Sequence, residues 1–228
     1  RRQPYHLTVR YAVDLGNSSA KAAQPGGAVV RLPSPTDPRD AAAWHRVADD
    51  LIDAIRGDAA RSGAASRLRV ASVVPEGSAA LRRAAAAASL PIEFIGIDDV
   101  PLDLALTPPV QIGIDRLLAA WFAYQRFGAP AGRGVIAVSL GTALTLTCVD
   151  RSGRLLGGAI APAPALASRA LADGAAALPL VAIYDESPEL AGPIGADTAT
   201  AIGSGILRGA RGALTALIDE SAAEMAAR

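Results

Sequence analysis

Val13-Asp14-Leu15-Gly16-Asn17-Ser18-Ser19-Ala20-Lys21 is the stretch on which the reading of the chain turns. Apolar residues lead into an acid, a glycine lets the backbone turn, small polar residues follow, and a lysine closes the run. Such a turn suits a phosphate. Glycine admits backbone N–H groups close to oxygens with no Cβ in the way, while hydroxyls and a lysine add donors. An acid beside those donors can hold the water shell of a phosphate-bound magnesium, because Mg²⁺ prefers oxygen ligands and keeps several waters. By itself the run also fits an ordinary hairpin, in which Asp-x-Gly-Asn is common.

A second stretch repeats the plan. Residues 135–149, Val-Ile-Ala-Val-Ser-Leu-Gly-Thr-Ala-Leu-Thr-Leu-Thr-Cys-Val, read as an apolar strand, Leu-Gly, a small polar residue and a second strand. Aligning Asp14-Leu15-Gly16-Asn17 with Ser139-Leu140-Gly141-Thr142 suggests two halves built alike, each with a glycine turn at a strand junction. Two such turns facing each other across a cleft would grip a polyphosphate from both sides.

Composition narrows the class. With 228 residues the chain can bury a substantial core, and 22 basic against 22 acidic residues leave no electrostatic footprint for nucleic acid or a membrane surface. No segment reaches the roughly 18 uninterrupted apolar residues of a membrane span. The first residues, Arg1-Arg2-Gln3-Pro4, include neither Met nor an apolar signal core and are expected to be a trimmed or renumbered end. The single cysteine, Cys148, lies in an apolar strand. That excludes a disulfide framework, fits a reducing cytoplasm and favours core packing over a catalytic thiol. His6 and His45 have no acidic or cysteine partners at ligand spacing, so surface or capping roles are expected.

The elements follow from periodicity. Residues 7–15, 18–23 and 28–32 read as an antiparallel meander, and Asp37 or Asp40 is placed to cap the helix behind it. Trp44, Val47, Ala48, Leu51, Ile52 and Ile55 mark that helix's buried face. Strands at 68–74 and 92–95 flank an alanine-rich helix at 76–88, giving an α/β half with parallel strands. Ile114, Leu117, Leu118, Trp121 and Phe122 form an apolar stripe behind Gly113, so Asp115 and Arg116 sit in the first turn of a helix. There an acid is favourable for charge reasons alone, and an arginine can be a surface ion pair. Gly157-Gly158 reads either as a bulge or as a wall beside a ligand. A helix is expected at 164–177, and a longer one from Thr198 to Met225. The glycines of the latter, Gly203, Gly205, Gly209 and Gly212, suggest close approach to another element or to a ligand.

Together these segments resemble the type III pantothenate kinase family, of the acetate and sugar kinase, Hsp70 and actin superfamily. Its first phosphate motif stands as Asp14-Leu15-Gly16-Asn17-Ser18-Ser19-Ala20-Lys21, and its Gly-x-Asp-Arg substrate motif as Gly113-Ile114-Asp115-Arg116. Its second phosphate motif is Ser139-Leu140-Gly141-Thr142-Ala143-Leu144-Thr145, its Gly-Gly-x-Ile-x-Pro segment is Gly157 to Pro162, and its threonine-containing stretch is Gly195 to Ile202. The resemblance implies an α/β fold of two duplicated ribonuclease H-like (actin-like ATPase) domains, 1–112 and 113–228, with the nucleotide in the cleft between them. It implies a cytoplasmic enzyme that phosphorylates the 4′-hydroxyl of pantothenate with ATP, the first step toward coenzyme A. It also implies a homodimer, while the balanced charge leads us to expect neither nucleic acid nor membrane as partner.

Carried over by residue, Asp14, Gly16, Asn17, Ser18, Lys21, Gly141 and Thr142 would contact ATP and its phosphates, with Asp14 holding magnesium through water. Asp115 would be the general base, and Gly113, Ile114, Arg116 and Thr198 would bind pantothenate. Three positions depart from the family pattern. Ser139 replaces an acid associated with the family's monovalent cation, potassium or ammonium, so that site should be weakened. Ala163 stands where glycine is usual, and Leu106 about where a tyrosine lines the pocket. These departures leave open a catalytically impaired, nucleotide-binding relative with a regulatory role, and also a kinase for another small alcohol.

Overall fold

The computed structural model describes residues 11–62, 67–104, 112–183 and 192–228. Two compact units emerge: one runs up to Val100 and takes in Ile112–Leu117, and the other holds the remainder, including Leu118–Arg228. His6, Leu106 and the acidic loop at 185–189 lie outside the described residues.

The first unit is built on the strand that carries the acid of the opening motif. In β1 (Tyr11–Leu15), Tyr11, Val13 and Leu15 are buried while Asp14 faces the other way, the alternation that a pleated strand imposes. Strands β2 (Ser19–Ala23) and β3 (Val29–Pro33) complete an antiparallel meander. On the other side of β1 lie β4 (Leu68–Ser72) and β5 (Ile92–Phe94), both parallel to it, in the order β3-β2-β1-β4-β5.

The crossovers are α1 (Ala41–Ser62) and α2 (Pro75–Ala87). Of the two candidate caps Asp40 serves, its Oδ1 accepting the Ala43 N–H at 2.9 Å, while Asp37 accepts from the Arg39 N–H in a turn of its own. The expected stripe of α1 is the buried one, with Trp44, Leu51 and Ile55 all 1% exposed or less. Each such side chain contributes about 1.5–3 kcal/mol by leaving water. The helices meet where Trp44 lies on Gly77; a Cβ there would come within 3.0 Å of the indole ring.

In the second unit, β7 (Val135–Leu140), β8 (Ala143–Val149) and β9 (Arg154–Pro162) repeat the meander. A short strand, β6 (Asp103–Leu104), pairs parallel with β9, and the order is β6-β9-β8-β7. Cys148 is buried in β8, as its apolar setting implies. The register between β8 and β9 shifts at Leu156, just before Gly157 and Gly158, and a Cβ on Gly158 would overlap the Leu146 carbonyl. The paired glycines therefore follow a bulge, at a point where two backbones nearly touch. The Asp150–Gly153 turn between these strands is held by the Asp150 carboxylate. Burial pushes that group's pKa up, but hydrogen bonds from the Ser152 hydroxyl and from the Arg154 and Ser152 N–H groups, with the Arg154 charge, outweigh it and hold the pKa below the usual range.

The helices are α3 (Ile114–Ala123), which runs into a wider π turn at Tyr124–Gly128, α4 (Pro164–Gly174) and α5 (Thr198–Ala227). Two details differ from the sequence reading. Phe122 is 62% exposed and leaves the buried stripe of α3, where Ala120 is buried in its place. Along α5, a Cβ added at Gly203, Gly205, Gly209 or Gly212 would meet nothing within 4 Å, so these glycines admit no close neighbour among the described residues.

Candidate active site

The opening motif folds as the β1–β2 junction. The Gly16 N–H donates to the Ser19 carbonyl at 3.1 Å, closing the turn over Asn17 and Ser18. Ser34, a residue that motif reading passed over, ties this turn to the chain leaving β3. Its hydroxyl donates to the Gly16 carbonyl at 2.7 Å and its N–H to the Ser18 carbonyl at 3.2 Å. Asp14 and Lys21 are directly opposed across the ladder, with Nζ 2.9 Å from Oδ2 and side chains 42% and 33% exposed. The acid and the lysine of the motif thus form a solvent-facing ion pair at the edge of the turn.

The Gly113–Arg116 segment starts α3, with the Leu117 N–H donating to the Gly113 carbonyl at 3.1 Å. Ile114 and Leu117 are buried and anchor the turn, while Asp115 is exposed and Arg116 half-buried. The Asp115 carboxylate folds back over Gly113, where a Cβ would stand 2.5 Å from Oδ1 and 3.4 Å from Val73 Cγ1. Val73 follows the last residue of β4, and its N–H donates to the Leu15 carbonyl at 3.2 Å. Val73 therefore hydrogen-bonds the foot of the first phosphate motif and faces the glycine that opens the Gly113–Arg116 segment. Asp14, Gly16, Asn17, Ser18, Lys21, Gly113, Ile114, Asp115 and Arg116 all belong to the first unit, with the turn and the helix start gathered at the carboxyl ends of β1 and β4. In open α/β sheets that end is where ligands bind.

The remaining motif residues belong to the second unit. Gly141 and Thr142 form the β7–β8 turn, closed by the Gly141 N–H donating to the Ala143 carbonyl at 3.0 Å. Ser139 is exposed on β7, in register with Thr145 and, through it, with Ile160, so its strand neighbours carry no charge. Ala163 is fully buried with φ −72° and ψ 161°, a conformation open to any residue, so alanine costs no strain there.

Thr198 opens α5 directly behind the cap Asp197, whose Oδ1 accepts the Thr200 N–H at 2.9 Å. That hydrogen bond, reinforced by the Thr200 side chain and the Ala199 N–H, holds the Asp197 carboxyl below its ordinary pKa. Thr198 also rims a cavity of about 490 Å³ walled by Leu171, Leu178, Ile202 and Ile206. A cavity of about 670 Å³, lined by Arg133, Asp150, Arg151 and Met225 among others, contains none of the motif residues.

Asp14, Asn17 and Ser18 offer hard oxygen ligands at the surface of the turn, the chemistry magnesium selects. Among the described residues no group of three or more His, Cys, Asp or Glu side chains could hold a metal ion alone. The donor set therefore fits a magnesium that arrives on nucleotide phosphates. No described helix is long and apolar enough to cross a membrane.

Residues 11–220 match the sequence profile of the type III pantothenate kinases. A type III pantothenate kinase from Synechococcus elongatus is 37% identical over 153 residues, covering 67% of this chain and 56% of the relative. The enzyme of that name from Thermosynechococcus vestitus is 42% identical over 123 residues, or 54% and 44% of the two chains. The one from Rubrobacter xylanophilus is 37% identical over 165 residues, or 72% and 60%. These alignments span about half the length of the curated relatives. Among solved structures, ethanolamine utilization protein EutJ from Carboxydothermus hydrogenoformans is 15% identical with a TM-score of 0.42, over 78% of this chain and 60% of that one. With its motifs in family order and the profile matched over nearly its whole length, the chain belongs to the type III pantothenate kinase family.

Proposed function

We propose that the protein transfers the γ-phosphoryl group of ATP to the 4′-hydroxyl of pantothenate, the first step of coenzyme A biosynthesis, in the cytoplasm where ATP is supplied. The observation that supports this reading is Val73, whose N–H donates to the Leu15 carbonyl beside the Gly16–Ser18 turn and whose Cγ1 faces Gly113, over which the Asp115 carboxylate folds. Phosphoryl transfer requires mainly in-line positioning and neutralisation of phosphate charge, with a carboxylate to take the hydroxyl proton.

In this reading the turn from Gly16 to Ser18 and Lys21 hold the phosphates, and Lys21 leaves Asp14 to do so. Asp14 then faces the hydration shell of magnesium, which neutralises phosphate charge when bound. Asp115 accepts the proton as the pantothenate oxygen attacks phosphorus. Arg116, with Gly113 and Ile114, receives pantothenate, its planar guanidinium matching a carboxylate. Gly141 and Thr142 contact ATP, and Thr198 contacts pantothenate. The halves 1–112 and 113–228 are read as duplicated ribonuclease H-like domains, the segment Ile112–Leu117 folding with the first. The neutral neighbours of Ser139 support weak use of potassium or ammonium, because a hydroxyl supplies dipole but no charge.

The protein is further read as a homodimer. Phe122 and Phe127 are 62% and 65% exposed at α3 and its π turn, and the open glycines of α5 would let another helix come close.

The deciding experiment is pantothenate-dependent ATP turnover with and without potassium, beside Ser139→Asp. Turnover by the unmodified protein supports the reading, and a larger potassium response in Ser139→Asp supports the degenerate cation site. ATP binding with no turnover in either protein replaces it with a regulatory relative.

A further inference from the structure

The turn that links the two motifs is itself held by a pair of hydroxyls outside every motif. Ser72 ends β4 beside Leu15, and Val74 is the N-cap of α2, buried and extended with no side chain able to cap the helix. The hydroxyl that meets the backbone of Val74 comes from Ser72, two residues earlier. The Val74 N–H donates to Ser72 Oγ at 3.1 Å, Ser72 Oγ–H donates to the Val74 carbonyl at 3.1 Å, and Ser78 Oγ–H donates to Ser72 Oγ at 2.8 Å. Ser78 Oγ also stands 3.0 Å from the Val74 carbonyl, so its one proton is shared between Ser72 and that carbonyl, and both hydroxyls converge on Val74. The Ser78 N–H, at 3.0 Å from the same carbonyl, completes the brace. Ser72 thus closes a turn on both backbone groups of Val74, with Val73 as the residue between its two ends.

Val73 faces two ways. Its N–H donates to the Leu15 carbonyl next to Gly16, and its Cγ1 lies 3.4 Å from where a Cβ on Gly113 would stand, a place the Asp115 carboxylate crowds from the other side. From this arrangement we infer that Ser72 and Ser78 are positioning residues for Asp115: their relay clamps Val73 as a spacer that sets the distance from the phosphate turn to the base. The inference rests on the kinase reading, in which Asp115 takes the substrate proton. Neither serine touches substrate in this scheme; both act through Val73.

The test is steady-state kinetics of Ser72→Ala, Ser78→Ala, the double variant and the hydroxyl-retaining Ser72→Thr and Ser78→Thr. A base displaced by a fraction of an ångström costs about 10- to 100-fold in rate. The expected result is that loss in kcat with KM for ATP unchanged, a shifted acid limb of the kcat–pH profile, and recovery in the threonine variants. Because the hydroxyls form one chain, the double variant should be no worse than the worse single one. Unchanged kcat in the alanine variants, or a loss that follows only their melting temperatures, overturns the inference. If the unmodified protein turns over no pantothenate, the kinase reading falls instead. The clamp is then judged by NMR: the Gly113 amide and Asp115 carboxyl resonances move in Ser78→Ala if the brace holds that segment, and stay in place if it does not.

Discussion

Gly113 and Asp115 constrain each other. The carboxylate lies where a Cβ at position 113 would be, so Gly113→Ala forces Asp115 to swing away while Val73, at ordinary contact distance, need not move. Stability should then change by no more than about 1 kcal/mol, whereas kcat should fall about tenfold or more through a misplaced base. Kinetics beside thermal melts will show whether activity is lost before the fold. Asp115→Asn keeps the shape and removes the basicity; it should lower turnover by about 10²- to 10⁴-fold and leave ATP affinity nearly unchanged by calorimetry. Unchanged turnover would remove Asp115 from the base role. Lys21→Met separates the two uses of the Asp14 ion pair. An exposed pair is worth about 0–1 kcal/mol, so the melting temperature should barely move while ATP affinity drops.

At the scale of elements, the two meanders are alike in sequence and unlike in burial. Val13 and Leu15 are 3% and 2% exposed, whereas their counterparts Val138 and Leu140 are 42% and 60% exposed. Register puts Leu140 opposite the buried Leu144, and Val138 opposite the buried Leu146, so both side chains point to the core face of their sheet. The difference is cover: β1 lies between β2 and β4, beneath α1 and α2, while β7 is the edge of its described sheet. Leu15→Ala should therefore cost about 2–5 kcal/mol, and Leu140→Ala under about 1 kcal/mol, as chemical denaturation can check.

The cap of α5 adds a pH dependence. Asp197 titrates below its ordinary value in the folded chain, so its stabilisation is complete above the unfolded carboxylate pKa and is lost as pH falls through the lowered folded one. Amide protection in the first turn of α5 should fall across that acid window, and Asp197→Asn, which still caps, should flatten the response. An unaltered titration in the asparagine variant would place the effect elsewhere.

For the molecule as a whole, the chain spans about half the length of the curated relatives it matches. The homodimer proposed from Phe122, Phe127 and the open glycines predicts a concentration-dependent mass in sedimentation. Phe122→Ser with Phe127→Ser should yield monomers with the same far-ultraviolet circular dichroism. Monomers in the unmodified protein at high micromolar concentration would dismiss the dimer.

Much was legible from residues 11–23, 41–55 and 113–118, where strand alternation, a helical stripe and a capping acid act over a few neighbours and so are written locally. The motif order alone identified the family. Only the folded chain could decide that Asp40 caps α1, that Lys21 pairs with Asp14, and that Phe122 faces solvent. The brace of Ser72 and Ser78 around Val74 was likewise hidden, because a strand, a turn and a helix must pack before those hydroxyls meet and before Val73 reaches both Leu15 and Gly113. Periodicity reports which face of an element is apolar; it cannot report what covers that face, which depends on contacts between residues far apart in the chain.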